Sequence, residues 1–399
     1  MTASGILSSH REGVVSRSRA CGTVLAIQDT TDLDFTSHRG TQGLGFINQT
    51  QQQGLKVHTC FAVSGEGEPL GLLEQHCWSR PQRQGQKEQR HHRPIEQKES
   101  YRWLTTAAAA EAALPETLPL VHVADREADI FELFAQPRRL GSELLVRAAQ
   151  NRRVQQELGT LLPTINAAPI WGEFRLEVPR ARQREARTAL LQVQALTVTL
   201  AVPVNAGAKG TLKPVEMGVI QVQEAEPPSD GSKPIRWVLL TTLALSDLAA
   251  VLQAVRWYSY RWLIERFHYT LKSGCGLEQL QLNCEQRLVK ALATYSIVAW
   301  RLLWLTYRAR LTPEASCERV LETAEWQLLR RRFAPKSRSR KPPTLGEAVT
   351  WIAQLGGFLA RKGDGHPGVK ALWRGLTRLH DWMEGRQLAA ELQNQKEFD

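Results

Sequence analysis

The segment from Tyr258 to Lys272, YSYRWLIERFHYTLK, carries a phenol, a guanidinium, a carboxylate and an ammonium at helical spacing. At about 100° per residue, Tyr258, Arg261, Glu265 and Lys272 fall within an arc of roughly 60° on a continuous α-helix. One face then presents a carboxylate able to hold a divalent cation, flanked by donors able to grip phosphate oxygens. That is the equipment of metal-assisted chemistry on a phosphodiester. Taken alone, Arg261 and Glu265 read as an ordinary solvated ion pair four residues apart. The rest of the chain has to decide between the two.

Two aspartates stand where such chemistry needs partners. The run TVLAIQDTT, from Thr23 to Thr31, reads as a buried strand that turns polar at its end, with Asp29 at the exit. LPLVHVA, from Leu118 to Ala124, is a second short apolar run and leads straight into Asp125. The residues after Asp125 look like a helix start with acidic residues in its first turn. Each aspartate alone would serve as a cap or turn residue. Their occurrence together with the Glu265 helix asks for a joint explanation.

The blocks QDTTDLDF, HVADREADIFELF and YSYRWLIERFHYTLKSGCGLE resemble the catalytic blocks of DDE transposases of the insertion-sequence-4 family, whose Tyr-Arg-Glu-Lys helix is its signature. LVRAAQ, PIRWVLLTT and LGEAVTWIAQLGGFLARK resemble further family segments in the same order, so the resemblance covers nearly the whole chain. It implies that Asp29, Asp125 and Glu265 are the catalytic, metal-binding triad. It implies that Tyr258, Arg261 and Lys272 contact DNA phosphates near the cleaved end. It also implies that Trp237 stacks on a flipped base beside the cut, where the residues alone read as a core aromatic on a buried strand. Arg147 matches a family arginine near the active site. Two departures stand out. Tyr269 occupies a position where relatives tend to place a lysine, which removes one phosphate contact. Relatives carry a helical DNA-binding domain ahead of the first aspartate, whereas 28 residues precede Asp29 here. The chain is therefore expected to be truncated at its N-terminus, with recognition of specific element ends lost or weakened.

If the three carboxylates converge, a cation is needed. Two like charges about 4 Å apart repel by on the order of 4 kcal/mol at an effective dielectric near 20, and a triad has three such pairs. Without a counter-ion, one or more would be protonated at neutral pH. Two Mg²⁺ or Mn²⁺ ions, about 3.5–4 Å apart, remove that cost, activate a water or a DNA 3′-hydroxyl and stabilise the leaving oxygen.

The elements that must position these groups can be read from the hydrophobic pattern. After the Asp29 strand, Gly54 to Ser64 and Pro69 to Trp78 read as two more strands of an antiparallel meander. Residues 101–113 read as a helix, then come the Asp125 strand, a helix from Ile130 to Ala135 and a strand from Glu143 to Ala149. Three strands, then helix, strand, helix, strand, is the RNase H-like α/β arrangement, a mixed sheet with helices on both faces and the carboxylates converging at one edge. The first part of this core is assigned to residues 1–150. The stretch between Asp125 and Glu265 is too long for the single strand and loop a core needs there. Residues 151–236, with alternating runs Ala189 to Val202 and Gly218 to Val222, read as an inserted β-rich subdomain. Residues 237–310 complete the core. Residues 311–399 are a helical C-terminal unit, with apolar stripes at Leu345, Ala348, Ile352, Leu355 and Leu359 and at Val369, Leu372, Leu376, Leu379 and Met383. The resemblance implies that this unit also mediates dimerisation, and two copies would suit a reaction that brings two element ends together.

Charge fits a nucleic-acid partner. Lys and Arg number 51 against 40 Asp and Glu, and the excess gathers in Arg330 to Lys341 and in Arg80 to Arg102, stretches that either touch DNA or remain solvated loops. No run of 18 apolar residues and no signal peptide is apparent, so the expectation is a cytoplasmic protein, nucleoid-associated when DNA-bound and without a membrane partner. The six cysteines lack any C-x₂-C spacing and are expected as reduced thiols, and His91 and His92 have no partner ligands at useful spacing.

The leading expectation is a cut-and-paste DNA transposase acting as a homodimer on double-stranded DNA, transposon ends and target alike. The alternative is a non-catalytic truncated chain that dimerises with a full-length enzyme and inhibits it. A metal-dependent nuclease without strand transfer is a third reading.

Overall fold

The computed structural model describes residues 2–48, 52–81, 93–178, 186–204, 212–228, 231–336 and 339–396. Its central strand is β1 (Val24–Asp34), paired antiparallel with β3 (Gln53–Ser64) and parallel with β5 (Leu120–Ala124). β3 also pairs with the short β2 (Gly45–Phe46) and with β4 (Pro69–Trp78), and β5 continues in parallel to β6 (Ser142–Arg147). The meander and the mixed sheet expected from the sequence are both present, with α2 (Tyr101–Ala113) and α3 (Phe131–Ala135) in the expected connections. This is a mixed α/β architecture of the RNase H-like kind.

The pleat of β1 sorts its side chains between two cores. Leu25 and Ile27, with Val121 and Val123 of β5, enter one core, and Val24 and Ala26, with Leu120, enter another on the opposite face. The first core is covered by α5 (Leu248–Ser259), α6 (Trp262–Tyr269) and α7 (Glu285–Leu311). Within it Phe61 of β3 and Phe267 of α6 are fully buried and stacked, with ring centroids 5.0 Å apart. Burying each such ring contributes about 1.5–3 kcal/mol, which is what seats α6 over the sheet. The second core receives Ala110 of α2 and Val14 of a helix that the sequence did not suggest, α1 (Ala3–Ser18). α1 is anchored by buried His10, whose Nε2 accepts the Leu72 N–H at 3.1 Å and whose ring meets Trp300 edge-on.

The insertion has the β character expected, and its strands extend the core sheet. After α4 (Leu161–Asn166) come β7 (Ile170–Val178), β8 (Arg187–Leu200) and β9 (Val215–Glu224), then β10 (Arg236–Thr241), which pairs antiparallel with β9 on one side and β6 on the other. The result is one ten-stranded sheet. β10 covers the edge that β6 would otherwise leave open, which removes a row of unpaired backbone groups.

The C-terminal region is helical: α8 (Thr323–Phe333), α9 (Leu345–Leu355) and α10 (Val369–Lys396) come after α7. α9 opens on a reciprocal capping box in which Thr344 Oγ1 accepts the Glu347 N–H and Glu347 accepts the Thr344 N–H. The stripe Leu345, Ala348, Ile352 and Leu355 is buried as its spacing requires, as are Val369, Leu372 and Leu379 of α10. Leu359 lies beyond the end of α9 and is 62% exposed, so it does not continue the stripe. α7 is, among the described residues, the one helix long and apolar enough to cross a membrane, and its apolar positions Leu288, Leu292, Ala299, Leu302 and Leu305 are spent on the protein core.

Candidate active site

Asp29 and Asp125 are brought together by strand register. In the parallel pair, Ile27 lies beside Val123 and Gln28 beside Ala124. One step further sets Asp29 beside Asp125, about one strand spacing of 4.8 Å away. Both continue the odd-numbered positions whose predecessors enter the core under α6, so both carboxylates face that helix. β1 and β5 are neighbours inside the sheet, and the two aspartates meet where their parallel pairing stops; β1 itself runs on to Asp34, still paired with β3, so Asp29 lies mid-strand and not at the strand's exit as its sequence suggested.

Each aspartate is oriented by a backbone N–H close by in its own chain. The Thr30 N–H donates to Asp29 Oδ1 at 2.8 Å, and the Glu127 N–H donates to Asp125 Oδ1 at 2.8 Å as Asp125 caps a short 3₁₀ turn. The capping role the sequence allowed for Asp125 is thus real, and it leaves the second carboxylate oxygen outside the turn. Burial pushes the Asp29 carboxyl up to about 7, and the charges of Asp125 and Glu265 push the same way against the Thr30 N–H and Arg261. These few groups act on one another, so Asp29, Asp125 and Glu265 share one electrostatic neighbourhood.

The signature segment is not one continuous α-helix. Between α5 and α6 the backbone tightens into i→i−3 bonds, Tyr260 N to Trp257 O, Arg261 N to Tyr258 O and Leu263 N to Tyr260 O. After α6 it loosens into a π-helical turn over Thr270–Gly274, closed by Cys275 N to Thr270 O at 2.7 Å. Tight turns eclipse residues three apart, which keeps Tyr258 and Arg261 together, whereas the π turn changes the direction of Lys272. Lys272 Nζ donates to the Asp32 carbonyl of β1 at 2.7 Å and lies 3.5 Å from Glu278, tying the segment to the far end of the Asp29 strand. Arg261 instead donates to the carboxylate of Glu265, which is 54% exposed.

Tyr258 is buried at 4% exposure, and burial raises its phenol above the ordinary range. Its ring meets Trp237 of β10 edge-on at 5.7 Å, and its hydroxyl lies within electrostatic reach of Arg147 at the end of β6. Arg147 also donates to the Arg236 carbonyl at 3.1 Å. Trp237 and Arg147 therefore cluster around Tyr258, and Tyr258 and Arg147 interact with Arg261.

Two residues were not singled out from the sequence. His268 is buried with Nδ1 at 3.9 Å from Asp29 Oδ2, and burial and the nearby Lys272 hold its ring down to about 3, so the contact involves a neutral imidazole. Its signal was its position one turn after Glu265 on the core-facing side. Asp129, also buried, accepts from the Ala149 and Gln150 N–H groups at 2.7 and 2.9 Å and from Arg152 at 2.5 Å, which fixes the exit of β6. It belongs to the acidic run after Asp125, where only a helix start was read.

The acidic trio offers oxygen ligands, the donor type that hard Mg²⁺ and Mn²⁺ prefer. The Asp29 carboxyl is raised first by its burial and then by Asp125, and a bound cation would oppose both. With Glu265 engaged by Arg261, no three His, Cys, Asp or Glu side chains among the described residues are gathered tightly enough to enclose a metal. The six cysteines are free thiols. Of the basic stretches, Arg80 and Arg102 pair with Glu99 and Glu127, and Arg330 donates to the Ser339 carbonyl, so part of that charge is spent within the fold. Arg83, Lys87, Arg90, His91, His92 and Arg338 lie outside the described residues.

Two family models match this chain. The one described as transposase DDE domain matches residues 26–301, and the one described as transposase Tn5 dimerisation domain matches residues 297–395.

Proposed function

The chain belongs to the DDE transposase family, and from that premise we propose that it is a cut-and-paste DNA transposase of the insertion-sequence-4 type. Asp29, Asp125 and Glu265 would hold the divalent ions, with Glu265 exchanging Arg261 for the cation. Bound Mg²⁺ or Mn²⁺, two ions, would supply an activated oxygen nucleophile and stabilise the leaving oxygen. The protein's own part is positioning: a water attacks the phosphorus at the element end and frees a 3′-hydroxyl. That hydroxyl attacks the opposite strand to form a hairpin, a second water reopens it, and the freed end is joined to target DNA. Each step is an in-line displacement at phosphorus with no covalent protein intermediate.

Arg261, Lys272 and Arg147 offer cationic donors to the DNA phosphates, with Tyr258 set beneath them. Trp237, half-buried beside Tyr258, would stack on the base that must leave the duplex for the hairpin to form. Two copies joined through the C-terminal helices would hold two element ends, in line with the dimerisation-domain match.

The observation that carries this reading is the placement of Asp29, midway along β1, and Asp125, just past the end of β5, on the same face where the parallel pairing of the two strands stops, under the helix that bears Glu265. The test is a nicking and strand-transfer assay on pre-cut ends with Mg²⁺ or Mn²⁺. Wild-type activity that vanishes in Asp125→Ala is expected. An inactive wild-type chain that poisons a full-length relative would instead favour the inhibitory reading, in which only the dimerisation surface is used.

A further inference from the structure

Arg102, on α2, approaches β1 from the face opposite Asp29 and reaches the residues next to both aspartates at once. Its Nε donates to Thr30 Oγ1 at 3.2 Å, its Nη2 to Glu127 Oε2 at 2.9 Å and its Nη1 to the Glu99 carbonyl at 2.8 Å. Thr30 and Glu127 are the two residues whose backbone N–H groups orient Asp29 and Asp125. One guanidinium thus bridges, through side chains, the strand segment that aims Asp29 and the turn that aims Asp125. The rigid fork of Arg suits such a bridge, where the point charge of Lys would not. The Arg102 side chain is 12% exposed and lies against Trp78 and Trp103, with ring centroids at 5.3 and 5.6 Å, so its rotamer is held by packing.

Thr30 is fixed from a second side. Arg102 Nε–H occupies an acceptor position on the Thr30 hydroxyl, and His58 Nε2 faces Gln28 Oε1, an acceptor, at 3.1 Å. His58 must then carry its proton on Nε2 and accept the Thr30 O–H at Nδ1, 2.9 Å away. The chain Glu127, Arg102, Thr30, His58, Gln28 is consistent in every donor and acceptor. It runs behind the sheet from the Asp125 turn to the strand that carries Asp29.

We propose that Arg102 is a positioning residue that sets the spacing and aim of Asp29 and Asp125, so that divalent-cation affinity depends on a side chain that touches neither the cation nor the DNA. This rests on the reading that these aspartates hold the cation. Loss of a partner bonded directly to a ligand typically weakens metal affinity by about 10–100-fold, which bounds the effect of Arg102, one residue further out.

The test is Mn²⁺ binding to the full chain, followed by the electron paramagnetic resonance of free Mn²⁺, with DNA-end affinity measured alongside. Arg102→Gln is expected to weaken Mn²⁺ binding about tenfold and Thr30→Val severalfold, while Thr30→Ser, which keeps the hydroxyl, retains wild-type binding. DNA-end affinity should stay unchanged in all three. Glu127→Gln and Thr30→Val carry the test should Arg102→Gln fail to fold. Wild-type Mn²⁺ affinity in folded Thr30→Val and Glu127→Gln, with Asp125→Asn impaired, overturns this proposal alone. Wild-type Mn²⁺ affinity in Asp125→Asn overturns the triad reading and this proposal with it.

Discussion

The Arg261 guanidinium donates to the Glu265 carboxylate, so the acid that α6 brings to Asp29 enters the site already paired with a cation of its own chain. On the proposed function, binding DNA would offer Arg261 a phosphate in exchange. Arg261→Gln should therefore weaken binding to a DNA end and reduce the magnitude of the slope of log affinity against log salt by about 0.9, the contribution of one phosphate contact. Fluorescence anisotropy across a salt series measures this. An unchanged slope would show that Arg261 serves only Glu265.

Asp29 gives the divalent-free protein a pH dependence of definite sign. Its carboxyl is raised in the folded state from 3.8 to about 7 by burial and by Asp125, so the folded chain prefers it protonated. That contribution is fully present below about pH 4 and is lost as pH rises through 7. Asp29→Asn removes the charge. In EDTA the variant should therefore gain stability over wild type between pH 4 and 7 by on the order of 2–4 kcal/mol, and the difference should level off above that. Urea unfolding at a series of pH values reads it, and a difference that does not change with pH contradicts the assignment. Excess Mg²⁺ should narrow the gap at neutral pH.

The crossing of α9 and α10 depends on two glycines. A Cβ on Gly375 would sit 1.8 Å from the Ile352 carbonyl oxygen, and one on Gly356 would sit 1.8 Å from that of Ala371. Gly375→Ala must push the helices apart, at about 1–3 kcal/mol or more. Hydrogen exchange should show lost protection in α9 and α10 and retained protection in β1 and β5. Equal protection throughout would mean the crossing tolerates the methyl group.

Much of this arrangement was legible along the chain because its physics is local. Short, continuously apolar runs marked β1 and β5, and the polar residues that follow them marked Asp29 and Asp125, although β1 runs on to Asp34 and leaves Asp29 mid-strand. The hidden part depends on long-range pairing or on departures from ideal geometry. Joining of the insertion to the core sheet is decided by β10 pairing with both β6 and β9, which no window of sequence contains. The arc that gathered Lys272 with Glu265 assumed a regular helix, and a tight turn at Tyr260 with a π turn at Thr270 sent Lys272 to the Asp32 carbonyl. α1 was missed because its sequence, ASGILSSHREGVVSRS, has almost no amphipathic contrast, and its buried His10 and Ser18 replace the usual apolar stripe. The Arg102 bridge joins residues from α2, β1 and the Asp125 turn, and its partners are visible only once these are folded together.

The most direct measurement is the anomalous scattering of manganese in crystals of the protein bound to a DNA end and soaked in Mn²⁺. Manganese is expected among the carboxylates of Asp29, Asp125 and Glu265, with Arg261 turned from Glu265 to a phosphate. Manganese bound elsewhere, with Glu265 still held by Arg261 and DNA in the site, would contradict the triad.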